Sequence, residues 1–433
     1  MADSVARPSY DRPSLISPAD PNPPPTMEEL RDVLVRDPAR LAAASRVRGW
    51  LVQEARTKRD TGFLVAGLCE RLNEAGVPID RGSLALETLH SEHAAIGRFW
   101  VKGEGSHSEK FRYDRRDQGA YERSPFHYVH QTRKPLVLDL AATPDDAFGV
   151  VPELKAAGYT AYLCLPIMFA NGDENGIAFA TKHPDGFSEM DLAFIGYVMP
   201  IGAAVLEILA GYRSLDQLLR IYVGDEPHRA ILSGRVRRGD VTTIRSAILV
   251  ADMRNYTRIT AKMRPEESVE LLNAYFDCLV PPVEAEGGEI LKYMGDGLLA
   301  IFRESGDDLG GAAQSALSAA AAALVRIEAA NLEGRFPVPI DVGIALHHGE
   351  AAYGNVGSGE RLDFTIIGRD VNLASRIAQL NKVLGEPLLM SQSFVEFLWG
   401  DPEPLGSHDV NGFDEAVAVY RPRSEDAALR RAG

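Results

Sequence analysis

Apolar and polar positions follow three different rhythms along the chain. The opening stretch, MADSVARPSYDRPSLISPADPNPPP, has no apolar period and is rich in proline, which predicts an extended, disordered tail over residues 1–26. Residues 27–58 repeat apolar positions at helical spacing among many arginines. Between 59 and 212 the period changes repeatedly. Residues 59–75 read as an amphipathic helix. RGSLALETLH (81–90), AAIGRFWVKG (94–103), KPLVLDL, YLCLPIMF and NGIAFATKH read as strands, the last two joined by a hairpin at Asn171 and Gly172. Ser188 with Asp191 three residues on predicts a helix N-cap ahead of a long apolar run.

That run, Leu192 to Leu206, has no charge but is shorter than the ~20 residues a membrane span requires. Pro200 interrupts it and Glu207 follows, so it predicts a buried helix rather than a span. Leu206, Leu209, Leu215, Leu218, Leu219 and Tyr222 then recur at helical spacing, which predicts a short paired helix in a connector over 213–244, broken at YVG and RRGD.

The second half, 245–422, has a clearer pattern. SAILVADM is a strand, and PEESVELLNAYFDCLVPPV is a helix opened by proline and two acids. GGEILKYM and GLLAIF flank Gly-Asp as a hairpin, and 310–330 is an alanine-rich helix. VPIDVGIALHHGEAAYGNV reads as a strand pair and DVNLASRIAQL as a short helix. The order β-α-β-β-α-β predicts a ferredoxin-like α+β core, followed by a C-terminal tail over 423–433.

Composition changes this picture in two respects. Acidic residues outnumber basic ones 61 to 46, a formal charge of −15, and most of the excess falls after residue 245. Such a chain is a poor partner for nucleic acid or an anionic membrane surface. Cys69, Cys164 and Cys278 lie far apart, without metal-ligand spacing or an even-numbered framework. They predict reduced buried thiols in a cytoplasmic protein.

Two aspartates stand at the ends of very apolar strands: Asp252 in ILVADM and Asp296 in the tight turn MGDG. A carboxylate there must be paired, hydrogen-bonded or metal-bound. Two of them on adjacent strands supply hard oxygen ligands for Mg²⁺ or Mn²⁺ and favour a two-metal site that activates a hydroxyl and clamps phosphate oxygens. The backbone from Arg254 through Asn255, Tyr256 and Thr257 turns toward a helix, where successive N–H groups suit a triphosphate. Asn372 and Arg376, spaced i, i+4, share one helix face. Arg suits a phosphoryl group developing charge, and Asn suits a ribose oxygen. Taken alone, that pair reads more readily as a solvated helix face with an incidental polar neighbour.

ADMRNYT (251–257), KYMGDGLLAIF (292–302), GIALHHGEAAYGNVGS (343–358) and IIGRDVNLASR (366–376) together resemble the catalytic domain of class III nucleotidyl cyclases over about 245–390. The resemblance implies head-to-tail homodimers with composite sites. Asp252 and Asp296 of one chain would hold two Mg²⁺ or Mn²⁺ ions with the Met253 carbonyl, and Asn372 and Arg376 of the other would stabilise the transition state. It implies attack of the ribose 3′-oxygen on the α-phosphorus of ATP, giving the 3′,5′-cyclic nucleotide and pyrophosphate. Lys292 and Thr365 match the base-reading positions. Lysine is donor-only and suits adenine N1 rather than the guanine N1–H, whereas the threonine hydroxyl both accepts and donates. A guanylate or dual-specificity cyclase, or a catalytically weak nucleotide-binding module, is the alternative.

The Lys/Thr pair resembles the class IIIb subgroup, some of whose members respond to bicarbonate. Two positions depart from the pattern: Asn255-Tyr256 replaces Gly-Phe, the asparagine being tolerant of left-handed backbone, and Val410-Asn411-Gly412 replaces Leu-Lys-Gly. His347 and His348, where relatives have other polar residues, read as structural.

The strand order and the GFSEMDL helix of 59–212 resemble a GAF-type sensor domain, which implies an unknown small-molecule effector. Cys164, His90, His93, His127 and His130 could hold a chromophore or metal there; more often such residues are ordinary core and surface positions.

Overall fold

The computed structural model describes residues 24–88, 93–112, 115–304, 310–358 and 361–423. Most of the expected N-terminal tail, His90 and nearly all of the C-terminal tail lie outside those residues. The chain divides into two compact units, one ending at Leu218 and one beginning at Leu219.

The first unit opens with helices α1 (Met27–Val35) and α2 (Pro38–Trp50), continued by a π-turn and α3 (Arg56–Lys58), then α4 (Thr61–Glu74). Residues 27–58 are no separate appendage. Leu34, Ala44, Val47, Trp50 and Leu51 are buried in the same core as α4 and the sheet. Gly67 of α4 makes this possible, because an added Cβ would come within 2.6 Å of the Trp50 ring.

The six-stranded antiparallel sheet comprises β1 (Arg81–Glu87), β2 (His93–Val101), β3 (Gly105–Arg112), β4 (Leu136–Asp139), β5 (Ala161–Met168) and β6 (Glu174–Thr181). Their order in the sheet is β3-β2-β1-β6-β5-β4. The strands expected from the sequence are present. β3 was not anticipated, because GSHSEKFR has Phe111 as its one large apolar residue and carries no apolar alternation. The other sheet face is covered by α6 (Pro125–Thr132) and α7 (Val151–Ala156), which follow α5 (Arg115–Glu122). As expected, Gly172, at φ +90°, turns the hairpin between β5 and β6.

Helix α8 (Glu189–Val223) starts at the expected cap, where the Asp191 amide donates to Ser188 Oγ and the Ser188 amide and hydroxyl donate to Asp191 Oδ2. By length and composition α8 is apolar enough to cross a membrane, yet Phe194, Ile195, Val198, Val205, Leu206 and Leu209 are buried in the core of this unit. It continues into the expected connector, where Leu215 and Tyr222 are exposed, and stops at the expected YVG break, before Gly224 at φ +86°.

In the second unit, α9 (Asp225–Leu232) precedes β7 (Val241–Met253), α10 (Tyr256–Thr260), α11 (Pro265–Ala285), β8 (Glu289–Met294), β9 (Gly297–Arg303), α12 (Gly311–Leu332) and β10 (Val342–Ser358). Then come β11 (Arg361–Ile367), α13 (Arg369–Leu384), β12 (Leu388–Ser391), α14 (Gln392–Val395), β13 (Glu403–His408) and β14 (Val417–Arg421). The sheet order is β13-β14-β12-β10-β7-β9-β8, with β11 paired to β10. Within it, β7-α11-β8-β9-α12-β10 is the expected βαββαβ core.

Helices α11 and α12 pack on one sheet face through Tyr275, Cys278, Leu279 and a row of alanines; α13 packs on the other through Val371 and Ala374. Pro281 removes the N–H that would bond the Asp277 carbonyl, and Arg326 of α12 donates to that carbonyl instead, at 3.0 Å.

One expectation is corrected. Residues 342–358 form a single long strand, not a pair, and β10 stays paired with β7 from Val342 to Gly354. Gly349 within it does not turn the chain; it makes room for Asp370, whose carboxylate a Cβ at 349 would strike.

Candidate active site

The site is built at the end of β7. Asp252 lies opposite Gly297 of β9, and Asp296 directly precedes Gly297 in the β8–β9 hairpin. The two carboxylates are thereby brought together from residues far apart in sequence. Gly295, at φ +68°, is the first residue of that two-residue loop, and its left-handed backbone is what presents Asp296. The Met253 amide donates to the Asp296 carbonyl at 3.3 Å and ties the two segments.

The local electrostatics record this crowding. Desolvation, followed by the charge of Asp296 and a hydrogen bond with it, pushes the Asp252 carboxyl up to about 6. Tyr275 of α11 is fully buried, and among the described residues its hydroxyl has no hydrogen-bond partner. Burial, with Asp252 and Asp296 among the nearby charges, holds that phenol well above its usual range.

These residues fit a hard divalent cation. Two adjacent carboxylates that repel one another and a neighbouring main-chain carbonyl make a partial oxygen set, the kind Mg²⁺ completes with water and phosphate oxygens. Among the described residues no group of three His, Cys, Asp or Glu side chains gathers into a fuller protein cage.

The turn after Asp252 forms as the sequence predicts. Asn255 adopts φ +59°, the left-handed conformation that asparagine tolerates, and caps α10. The expected amide cradle is corrected at its first residue. The Arg254 N–H donates to the Asp341 carbonyl at 2.8 Å, so the amides at the start of α10 are those of Asn255, Tyr256 and Thr257. The Arg254 guanidinium meanwhile donates to the carbonyls of Asn381 and Glu386, a clamp with no sequence signal.

Asn372 and Arg376 share one face of α13; Asn372 is exposed and Arg376 half-buried, its Nη1 donating to Gln379 Oε1. Asn372 stands apart from the aspartates along α13 of the same chain. Asn381 packs over Gly343, which pairs with Asp252, and Asn372 begins nine residues earlier, about 13 Å along the helix axis. The start of α13 is fixed by Asp370, whose Oδ2 accepts from the Glu350 amide at 2.7 Å.

His347 and His348 have structural partners. His347 Nδ1 meets Ser391 Oγ at 2.8 Å and His348 Nε2 meets Glu304 Oε1 at 2.6 Å. Lys292 is half-buried on β8 and forms an ion pair with Asp363 at 3.0 Å; Thr365 is half-buried on β11. Asn411 lies in the exposed turn between β13 and β14. Sequence reasoning missed Tyr275, Arg254, Asp363 and Asp370. Of these, Asp370 and Arg254 sit inside motifs that drew attention, Arg254 for its backbone and not for its side chain.

In the first unit, Cys164 is buried and burial raises its thiol pKa, as it does for Cys69. His130 Nδ1 is hydrogen-bonded to the Tyr121 hydroxyl at 2.8 Å.

Residues 242–399 match the family described as the adenylate and guanylate cyclase catalytic domain. An adenylate cyclase of Anabaena cylindrica is 35% identical over 198 residues, 43% of this chain and 38% of that protein. The terminal-differentiation-specific adenylate cyclase of Dictyostelium discoideum is 30% identical over 187 residues, 42% of this chain and 9% of its own length. A solved structure, the adenylyl cyclase CyaB from P. aeruginosa, is 25% identical with a TM-score of 0.38, covering 42% of this chain and 94% of that one. The chain thus spans well under half the length of these two curated relatives. The likeness to the adenylate and guanylate cyclase catalytic domain thus falls on residues 242–399, within the second unit.

Proposed function

We propose that the second unit is an adenylate cyclase that converts ATP to 3′,5′-cyclic AMP and pyrophosphate at composite sites between two copies of this chain. The observation that carries it is the convergence of Asp252 and Asp296 at one strand end, inside a segment that matches the cyclase family. Asp252, Asp296 and the Met253 carbonyl would hold two Mg²⁺ or Mn²⁺ ions, which when bound lower the pKa of the attacking hydroxyl and neutralise phosphate charge.

The chain's own residues supply the rest. The amides of Asn255, Tyr256 and Thr257 face phosphate oxygens at the start of α10. Arg376 meets the charge developing on the phosphoryl group, and Asn372 orients the ribose. Separation of Asn372 from the aspartates along α13 supports assembly from two chains, each giving one half of a site. The net negative surface is compatible with this reading, because the nucleotide arrives as its metal complex and meets local amides, Lys292 and Arg376.

Lys292, donor-only, supports ATP over GTP. The first unit is proposed to be a GAF-like sensor for a small-molecule effector, bicarbonate being one option. Its support is the antiparallel order β3-β2-β1-β6-β5-β4 with helices on both faces. We place the protein in the cytoplasm on the reading of its cysteines.

Purified full-length protein incubated with ATP or GTP and Mg²⁺ or Mn²⁺ tests the activity: the expected result is cyclic AMP, and no product above an Asp252→Ala control overturns it. Mixing Asp252→Ala with Asn372→Ala chains tests the composite site. Mixed dimers regain one intact site; no recovery, with heterodimers shown to form, overturns it.

A further inference from the structure

The ladder between β8 and β9 contains a bulge. Ile290 pairs with Ala300 and Lys292 with Leu299, so Leu291 is the extra residue. The two-residue turn sets the register of the hairpin, pairing Met294 with Gly297 and Tyr293 with Leu298, so Lys292 shares the face of Leu299, the side on which α13 packs. On that side Lys292 Nζ meets Asp363 Oδ2 at 3.0 Å, across 71 positions of sequence.

Asp363 stands on β11 opposite Val356 and two residues before Thr365, hence on the same side of the strand as Thr365. The pair is open to solvent, the side chains of Lys292 and Asp363 being 42% and 66% exposed. Exposed ion pairs contribute little to stability, so the fold by itself does not account for this one. What the contact fixes is a donor beside an acceptor.

We propose that Asp363 is a specificity-determining residue for the nucleotide base. The proposal rests on Lys292 as a base reader, as argued above. An ammonium beside an acceptor-only carboxylate matches the adenine edge, where the N1 acceptor adjoins the N6 amine. Guanine presents the reverse, an N1–H donor beside the O6 acceptor, and would set like against like at both positions. The Thr365 hydroxyl turns to suit either base and cannot exclude guanine alone. Asp363 supplies the exclusion, because a carboxylate facing O6 would leave both groups without a donor.

The test compares wild type, Asp363→Asn and Thr365→Ala as full-length chains. It reads kcat/KM for ATP and GTP, and in parallel the affinity for each nucleotide with Mg²⁺ by equilibrium dialysis. The asparagine keeps the shape of an exposed strand residue but can donate to O6. The expected result for Asp363→Asn is a fall of about tenfold or more in the ATP:GTP ratio, in turnover and in dialysis, with GTP use rising, and a smaller change for Thr365→Ala. A residue that merely held Lys292 would lower use of both nucleotides together, and an unchanged ratio in both assays overturns the proposal. A wild-type chain that binds nucleotide without forming cyclic product overturns the cyclase reading instead, and the dialysis ratio still decides the role of Asp363.

Discussion

Asp252 and Asp296 meet at the end of the β7–β9 ladder because Gly297, opposite Asp252, is the residue that follows Asp296. Their mutual repulsion sets the first prediction. In metal-free protein at neutral pH, Asp252→Asn removes a charge that its neighbour disfavours, and the melting temperature rises by a few degrees. Adding Mn²⁺ raises the melting temperature of wild type and leaves that of the variant unchanged, while cyclic nucleotide production by Asp252→Asn or Asp296→Ala falls by about a hundredfold or more. Calorimetry with and without Mn²⁺ checks the first two outcomes, and a turnover assay the third.

Reversing the base preference requires two changes. Lys292→Glu by itself puts a second carboxylate beside Asp363. The single variant therefore loses ATP turnover with little gain in GTP turnover, and Lys292→Glu combined with Asp363→Asn shifts the ATP:GTP ratio toward GTP further than either alone. Measured kcat/KM values for the four proteins decide it; additive effects in the double variant would contradict a shared site.

Gly349 lies beneath the Asp370 carboxylate that holds the start of α13 on β10. Gly349→Ala forces that helix start outward and costs about 1–3 kcal/mol of stability. Combining it with Asp370→Ala, which removes the colliding group, costs less than the sum of the two single changes. Denaturant unfolding of the single and double variants measures the coupling.

The left-handed backbone of Asn255 distinguishes two small substitutions. Asn255→Ala destabilises the turn by about 1 kcal/mol, and Asn255→Gly leaves stability close to wild type. Equal melting temperatures for the two variants would show that the turn does not hold that conformation in solution.

His130 gives the first unit an acid sensitivity. Desolvation lowers its pKa below the ordinary 6.5, so the unfolded chain binds the proton more readily than the folded one. The neutral imidazole is tolerated in full above pH 6.5, and stability is lost as the pH falls below that value. In melts of the full chain from pH 8 to 5, His130→Gln loses less stability than wild type over that interval; equal losses would rule out the assignment.

Much of the fold was legible because its signals are local. The period of the apolar residues marked the strands and long helices. Gly-Asp marked the β8–β9 hairpin, and Ser188 with Asp191 marked the start of α8. β3 was missed because a polar edge strand has no apolar alternation to read. The glycines of β10 suggested a turn where Gly349 instead admits a carboxylate from α13. The candidate site divides in the same way. Asp252, Asp296, Asn255, Asn372 and Arg376 stood out because each sits at a strand end, in a turn or on a helix face that the chain itself announces.

Asp363 carries no such mark, nor do the Arg254 guanidinium, whose backbone alone the turn announces, and Tyr275. Their importance arises from what lies across space: Lys292 for the first, the Asn381 and Glu386 carbonyls for the second, the two aspartates for the third. The sequence by itself determined which elements form and which residues are chemically equipped, since propensity, period and turn chemistry act over a few residues. The tertiary structure decided which of those residues meet. Register fixes that outcome: the two-residue turn at Gly295 and Asp296 sets Lys292 opposite Leu299, on the face where it meets Asp363.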